Sequence, residues 1–326
     1  MAWADGGGAP AVSSERVLLI INPVAGHGDG GGIRRHLEEG LDRAGVDYRV
    51  RETAKAGDAF AWARATDAER VIVAGGDGTV AEAVSGLIAA GRRVPVAQVP
   101  GGTGNLLARA LGLQRDLDAA LATALGGVAL PLDVGYLPDR QRHFTLVAGV
   151  GWDAQLVDGA PRSLKRRVGM LAYVLAGVSA LFRLRSRRVR VEIDGEPHDF
   201  RAHTVMVFNV GELAGPGLEL DPDIDPHDGR LDVVVVSTLS ALGLLRLLLE
   251  LLRGRLRRFP GFRRFSAREV RISAVPPLPA ELDGEPIGVT PLHIEVVPDG
   301  ALFMVSPEYA EARQLAGAPL RGRGSA

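Results

Sequence analysis

The sequence predicts two unlike halves: a doubly wound parallel α/β domain, followed by a mostly antiparallel β-sandwich domain. Three observations carry this reading. In the first half, short β-branched runs alternate with helical stretches through short links. Glycine-dense loops follow the first, third and fourth of those runs, at the passage from strand to helix. From about Tyr136 the alternation stops, and strand-length runs recur with Asp-Gly turns among them.

The elements of the first half follow in order. Val17 to Ile21 is a buried strand that Asn22-Pro23 ends, because proline cannot donate to a ladder. A glycine loop, Val24 to Gly32, leads to a helix over Ile33 to Ala44. Tyr48 to Glu52 is a second strand and Asp58 to Thr66 a second helix. Arg70 to Ala74 is the third strand, with a glycine loop at Gly75 to Thr79 and a helix reaching Ala90. Pro95 to Val99 is the fourth, with a third glycine loop at Pro100 to Asn105 and a helix over Leu106 to Leu111. Right-handed crossovers place all strand-to-helix loops on one edge of a parallel sheet, so the three glycine loops should converge on one cleft.

The loop Gly75-Gly-Asp-Gly-Thr79 is the most informative. Its glycines leave no Cβ in the way of a ligand. Thr79 and Glu82 have the spacing of a capping box, which predicts a helix starting there, with free N–H groups that suit a phosphate. Asp77 does not suit a bare anion; it makes sense beside a divalent cation or a hydroxyl proton. An ordinary tight turn with a solvated Asp77 is the bland alternative. The sequence has no P-loop motif. Gly26, Gly28 and Gly31 match G-x-G-x-x-G, with Glu52 near the acidic position of a dinucleotide site. A dehydrogenase reading leaves the other two glycine loops without a role.

Composition bounds the rest. The 326 residues suit two domains, and an apolar content of 46% is enough for real cores. A net charge of −1 gives no global field for nucleic acid. The absence of cysteine excludes disulfides and thiolate chemistry, and it is compatible with a reducing cytoplasm. Residues 1–14 lack the pattern of a signal peptide and are expected to be a disordered leader, with 315–326 a disordered tail.

In the second half, strands are expected at His143 to Val150, Val189 to Ile193, His203 to Asn209, Leu231 to Val236, Val270 to Ala274 and His293 to Val297. Asp-Gly-Glu-Pro occurs twice, at Asp194 and at Asp283, and both Asp-Gly pairs read as two-residue hairpin turns. Asp221 to Asp228 is an acid-rich loop of the kind that suits Mg²⁺ or Ca²⁺, or else a polar turn. Two apolar stretches flanked by arginine, Val168 to Phe182 and Leu239 to Leu252, are too short to span a bilayer. The first reads as a core helix. The second, followed by Arg253, Arg255, Arg257, Arg258, Phe259, Phe262 and Phe265, reads as contact with a membrane surface.

Together the loops resemble the diacylglycerol kinase and sphingosine kinase family of lipid kinases. The residues that carry the resemblance are Asn22 to Gly26, Gly75 to Glu82 and Pro100 to Arg109, then Leu132 to Gly135, Gly149 to Asp153, Asp228 to Asp232 and Leu282 to Glu285. The resemblance implies a first domain of the NAD kinase-like kind over 15–135, rejoined by 303–314, and a lipid-substrate β domain over 136–302. It implies transfer of the γ-phosphoryl group of Mg-ATP to a lipid hydroxyl. The nucleotide would be held by Asn22, Pro23, Val24, Ala25, Gly26, Thr53, Gly75, Gly76, Asp77, Gly78, Thr79, Val80, Ala81 and Thr103. Asp77 would act with Mg²⁺ beside the phosphates. Glu285, assisted by Asp283, would be the catalytic base. A structural magnesium would lie at Asp228, with main-chain carbonyls near Asp225 and Arg230. Many bacterial relatives carry Asp where this chain has Leu106, a departure that removes a polar side chain from that position. The implied setting is cytoplasmic and peripheral to a membrane with anionic lipids. A homodimer is compatible with the sequence, which leaves oligomeric state open. Two other readings stand beside this one: a NAD kinase-like enzyme acting on a soluble nucleotide, and a nucleotide- or lipid-binding protein without turnover.

Overall fold

The structure, a computed structural model, describes residues 16–24, 30–102, 104–151, 186–212, 220–221, 223–237 and 241–315. In the first half β1 (Arg16–Ile21), α1 (Gly30–Arg43), β2 (Asp47–Glu52), α2 (Asp58–Ala65), β3 (Arg70–Gly75), α3 (Asp77–Ala89) and β4 (Pro95–Pro100) alternate, and α4 (Leu106–Ala110) and α5 (Leu117–Gly126) follow. The strands pair in parallel in the order β2-β1-β3-β4. Both faces are apolar because both are covered. Val71 and Val73 of β3 meet Ala59, Val80, Val84 and Leu107 from α2, α3 and α4. Ile72 and Ala74 meet Leu37 and Leu41 of α1 and Leu121 and Ala124 of α5. This is the doubly wound arrangement. The sequence reading omitted α5, whose N-terminus Asp116 caps by accepting the Ala119 N–H at 2.9 Å.

The second half contains β5 (Val128–Leu137), β6 (Arg142–Phe144), β7 (Val147–Val150), β8 (Arg187–Ile193), β9 (Glu196–Ala202), β10 (Thr204–Phe208), β11 (Leu231–Val236), α6 (Ala241–Leu252), β12 (Phe262–Ala267), β13 (Glu269–Ala274), β14 (Pro279–Leu282), β15 (Glu285–Val289), β16 (Leu292–Val305) and α7 (Pro307–Leu315). A six-stranded antiparallel sheet runs β12-β11-β10-β7-β14-β15. It packs through Val205, Val207, Val233 and Val235 against Val189, Val191, Val270 and Ile294 of the other sheet. Two expectations change. The strand expected over His143 to Val150 is two strands, β6 and β7, in different sheets. The strand expected over His293 to Val297 continues to Val305 as β16, which pairs antiparallel with β13 and β5 and parallel with β4. One strand therefore belongs to both halves, and the first-half sheet runs on into β13, β8 and β9.

Among the described residues no helix is long and apolar enough to cross a membrane. The stretch Val168 to Phe182 lies outside the described residues. The aromatic part of the second basic stretch is not at the surface. Phe259 and Phe262 are buried with Phe208, Val234 and Leu247, and Phe265 packs against His198 and Phe200.

Candidate functional site

The three loops meet at the C-terminal ends of β1, β3 and β4. Asn22 joins the first to the second: its Nδ2 donates to Thr79 Oγ1 at 3.1 Å, and its Oδ1 accepts the Val24 N–H at 3.2 Å. The third loop lies against the second, with Gly101 N–H donating to Gly75 O at 3.1 Å. A Cβ on Gly102 would stand 2.6 Å from Gly76 Cα, so this contact requires bare backbone. Asn105 closes the third loop in a left-handed conformation, φ 49°, exchanging two 2.8 Å hydrogen bonds with the main chain of Gly102. A Cβ on Gly78 would meet nothing within 4 Å, which leaves space at the helix start. Thr53 follows β2 on the same edge, its N–H donating to Ile21 O at 2.9 Å. Ala25, Gly26 and Thr103 lie outside the described residues.

The capping box does not form. α3 starts at Asp77 rather than Thr79, with Gly76 as the preceding residue and no side-chain cap. Thr79 instead receives Asn22, and Glu82 accepts the Gly57 N–H at 2.9 Å, tying the β2–α2 loop to α3. Asp77 has an unforeseen partner. Its two carboxylate oxygens accept the Leu106 and Leu107 N–H groups at 3.0 and 3.1 Å, so it caps α4 across the cleft. Burial pushes its pKa up, against the pull of those N–H groups. Leu106 thus contributes to the cleft through its main chain.

The two Asp-Gly-Glu-Pro copies are both two-residue hairpins with positive φ at Asp and Gly: 49° and 88° at Asp194 and Gly195, 47° and 86° at Asp283 and Gly284. Each aspartate accepts main-chain N–H groups from the link leading into a neighbouring strand and from that strand's first residue. Asp194 takes those of Arg268 and Glu269, and it pairs with Arg230 at 2.9 Å. Asp283 turns inward and accepts the N–H groups of Thr145, Leu146 and Val147 at 2.9 to 3.0 Å. Burial pushes Asp283 up to about 6, with those N–H groups pulling the other way. With Asp283 fixed, Glu285 stands at the rim, exposed, and 2.9 Å from Arg142.

Glu285 and Asp283 line a cavity of about 390 Å³ that also takes in Gly78, Ala81, Glu82 and Ser85 of α3 and Gly57 and Phe60 beside α2. Gln141, Arg142 and His143 close it from the β5–β6 hairpin. Arg140 ties that hairpin to the Ile287 and Val289 carbonyls of β15. Burial holds His143 down to about 4, and it stacks on Tyr136 at 4.6 Å, so near neutral pH it is an uncharged wall. Arg142 is the one cation among the described lining residues. Phe60, Ser85, Arg142 and His143 were not singled out from the sequence. They belong to no motif, and only the β5–β6 pairing brings the hairpin opposite β15.

The acid-rich loop lies elsewhere in the second half. Asp228 Oδ1 closes a turn on the Arg230 N–H at 2.8 Å. Burial, together with the charges of Asp232 and Asp133, pushes its pKa up. Asp225 accepts the His227 N–H at 3.0 Å and pairs with Arg313 of α7, while the Arg230 side chain holds Ser266 and Asp194. Among the described residues no three His, Asp or Glu side chains are grouped to hold a metal. A site here would rest on Asp228 and main-chain oxygens.

Comparison with known proteins agrees with this geometry. The diacylglycerol kinase catalytic domain matches residues 16–137. The YegS C-terminal NAD kinase beta sandwich-like domain matches residues 146–305. The diacylglycerol kinase of Bacillus subtilis is 31% identical over 297 residues, covering 87% of this chain and 96% of that protein. That of Mycobacterium tuberculosis is 30% identical over 303 residues, covering 90% and 96%. A crystal structure of a Bacillus anthracis protein classed with the diacylglycerol kinases superposes with a TM-score of 0.79 at 26% identity, covering 94% of this chain and all of that one. A catalytic domain, a β-sandwich partner and near full-length relatives in the same order establish that the chain belongs to the diacylglycerol kinase family and is a kinase.

Proposed function

We propose that this kinase transfers the γ-phosphoryl group of ATP to a hydroxyl of a lipid, diacylglycerol or a sphingoid lipid being the obvious candidates. One observation carries the reading: the glycine loop at the start of α3 and the Asp283–Glu285 turn open on the same cavity. Gly78, where a Cβ would meet nothing within 4 Å, leaves the start of α3, which no side chain caps, open to phosphates. Glu285 accepts the proton of the lipid hydroxyl as its oxygen bonds to the γ-phosphorus and the bond to the β-phosphate oxygen breaks, releasing ADP. Asp283 holds the turn that presents Glu285, and Arg142 orients its carboxylate. Mg²⁺ bound with the nucleotide would neutralise phosphate charge. Asp77 would act with it, its carboxylate steadied by the Leu106 and Leu107 N–H groups of α4.

The test is transfer of labelled γ-phosphate from Mg-ATP into an organic-extractable product with mixed lipids. Glu285→Gln should remove turnover and leave ATP affinity intact; unchanged turnover sinks the assignment. Label on a soluble nucleotide instead would move the chain to a NAD kinase-like acceptor. ATP binding with no transfer to any acceptor would leave a binding protein.

A further inference from the structure

Helix α6 lies on the outer face of the six-stranded sheet, the sheet whose edge hairpin carries Glu285. Leu247, 8% exposed, marks its inner side, packed with Phe208 and Val234. At about 3.6 residues per turn, Leu242, Arg246, Leu249 and Arg253 fall in one stripe on the opposite side. Leu242 is 74% and Leu249 39% exposed, and Arg246 and Arg253 are exposed between and beyond them. Arg255 and Arg258 continue the exposed series past the helix. Among the described residues none of these four arginines has an ion-pair partner. Their neighbours Arg257 and Arg264 are instead committed to the buried Asp221, and Arg264 to Asp232 as well. The segment therefore divides its arginines: Arg257 and Arg264 are held by acids, Arg263 donates to the Pro260 and Phe262 carbonyls, and Arg246, Arg253, Arg255 and Arg258 are exposed without such partners. The one acid of α6, Glu250, is half-buried on the flank.

We infer that this face of α6 docks the kinase on a bilayer containing anionic headgroups. Exposed leucine one turn from exposed arginine is the pattern of a helix lying in the interface plane, the leucines entering the acyl boundary and the arginines meeting phosphates. At 12 residues the helix is too short to do more than lie there. Charge complementarity selects the occupant, because four unpaired arginines call for a dense anionic surface and the leucines for an apolar layer beneath it. The inference rests on this surface and on no assignment within the catalytic cavity.

The experiment is co-sedimentation of the full chain with vesicles of phosphatidylcholine, with and without phosphatidylglycerol, in low and high salt. Wild type should bind the anionic vesicles and be released by salt. Arg246→Gln with Arg253→Gln should lower the partition coefficient roughly 25-fold, at about 1 kcal/mol per arginine. Leu242→Ser with Leu249→Ser should lower it as well, while Arg35→Gln with Arg93→Gln, exposed in the first half, should not. The α6 variants should retain the wild-type melting temperature and full kinase activity on a water-soluble short-chain acceptor. Absence of wild-type binding, equal loss in the control pair, or binding to a soluble polyanion but not to vesicles would overturn the inference. Vesicle binding is read without turnover, so failure of the lipid-kinase reading would show separately, as absent activity with docking intact.

Discussion

The duplicated Asp-Gly-Glu-Pro turn provides an internal experiment on what holds Glu285. Consider Asp283→Asn. Asparagine tolerates the left-handed φ of 47°, so the turn survives and the change acts on the carboxylate. Two effects compete. An amide NH₂ facing the N–H groups of Thr145, Leu146 and Val147 loses hydrogen bonds and costs about 1–3 kcal/mol. Yet Asp283 titrates at about 6 rather than near 3.8, so its charged form is disfavoured by folding, and the amide carries no charge. The sign follows from proton binding. Between the two values the folded protein holds a proton that the unfolded chain has lost, so this group's stabilisation is full at low pH and is lost as pH rises through about 6. Between pH 8 and pH 5 wild type should gain on the order of 1 kcal/mol that the variant lacks. The variant is thus clearly the weaker at pH 5 and approaches wild type at pH 8. Asp194→Asn should behave differently. Burial raises Asp194, but the Glu269 and Arg268 N–H groups and Arg230 outweigh it and hold it low. Its deficit should be present and flat from pH 8 to pH 5 and disappear only in stronger acid. Urea denaturation of both variants at the two pH values measures this. A deficit for Asp283→Asn that is independent of pH, or that grows with pH, would show that hydrogen bonding rather than burial dominates the site.

Three further outcomes are expected. Gly78→Val adds a side chain where a Cβ has open space, so the melting temperature should hold while KM for ATP rises about tenfold or more; unchanged KM would remove the α3 start from the nucleotide site. Asp77→Asn turns an NH₂ on one of two helix N–H donors and should cost about 1–2 kcal/mol of stability, seen in denaturation without nucleotide; no loss would mean that α4 does not depend on the cross-cleft cap. If a magnesium sits at Asp228, Mg²⁺ should raise the melting temperature of wild type and not of Asp228→Ala, and a wild type indifferent to Mg²⁺ would exclude a structural ion there.

The first half was legible because its signals are local and agree with one another. β-Branched runs such as Val71 to Ala74 lie within a residue of the observed β3, and glycine marks the turn that follows. What failed there was capping. Thr79 and Glu82 have capping-box spacing, but both side chains were taken by partners distant in sequence, Asn22 and Gly57. Those contacts are far more specific to the cleft than a cap would be, and no local rule could anticipate them. Likewise Asp77, read as a partner for a divalent cation or a hydroxyl proton, also caps a helix that starts 29 residues away. In the second half the period-2 pattern located strands but not their sheets. β6 and β7 are separated by two residues and belong to different sheets. β16 passes its register shift near Asp299 and carries on into the parallel sheet.

The same limit explains the aromatic residues after α6. In sequence, Arg255 to Phe265 reads as a mixed basic and aromatic surface. In the fold, the aromatics are the floor on which the segment rests, and Asp221 and Asp232, distant in sequence, pair with two of the arginines, Arg257 and Arg264. Burying a phenylalanine is worth about 2–3 kcal/mol, more than an exposed ion pair returns, so the aromatics settle first and the arginines divide according to which acids lie within reach. The leucines left outside, at Leu242 and Leu249, could not be told from core leucines by composition, since every apolar residue of α6 but two is leucine. Only the position of Leu247 against the sheet sets the phase of the helix, and with that phase fixed the outward leucines and the unpaired arginines fall on one face. A surface feature of this kind is therefore readable only after the core beneath it: the sequence marks Leu239 to Leu252 and the basic and aromatic residues after it as one stretch, and the core then takes the phenylalanines out of that surface.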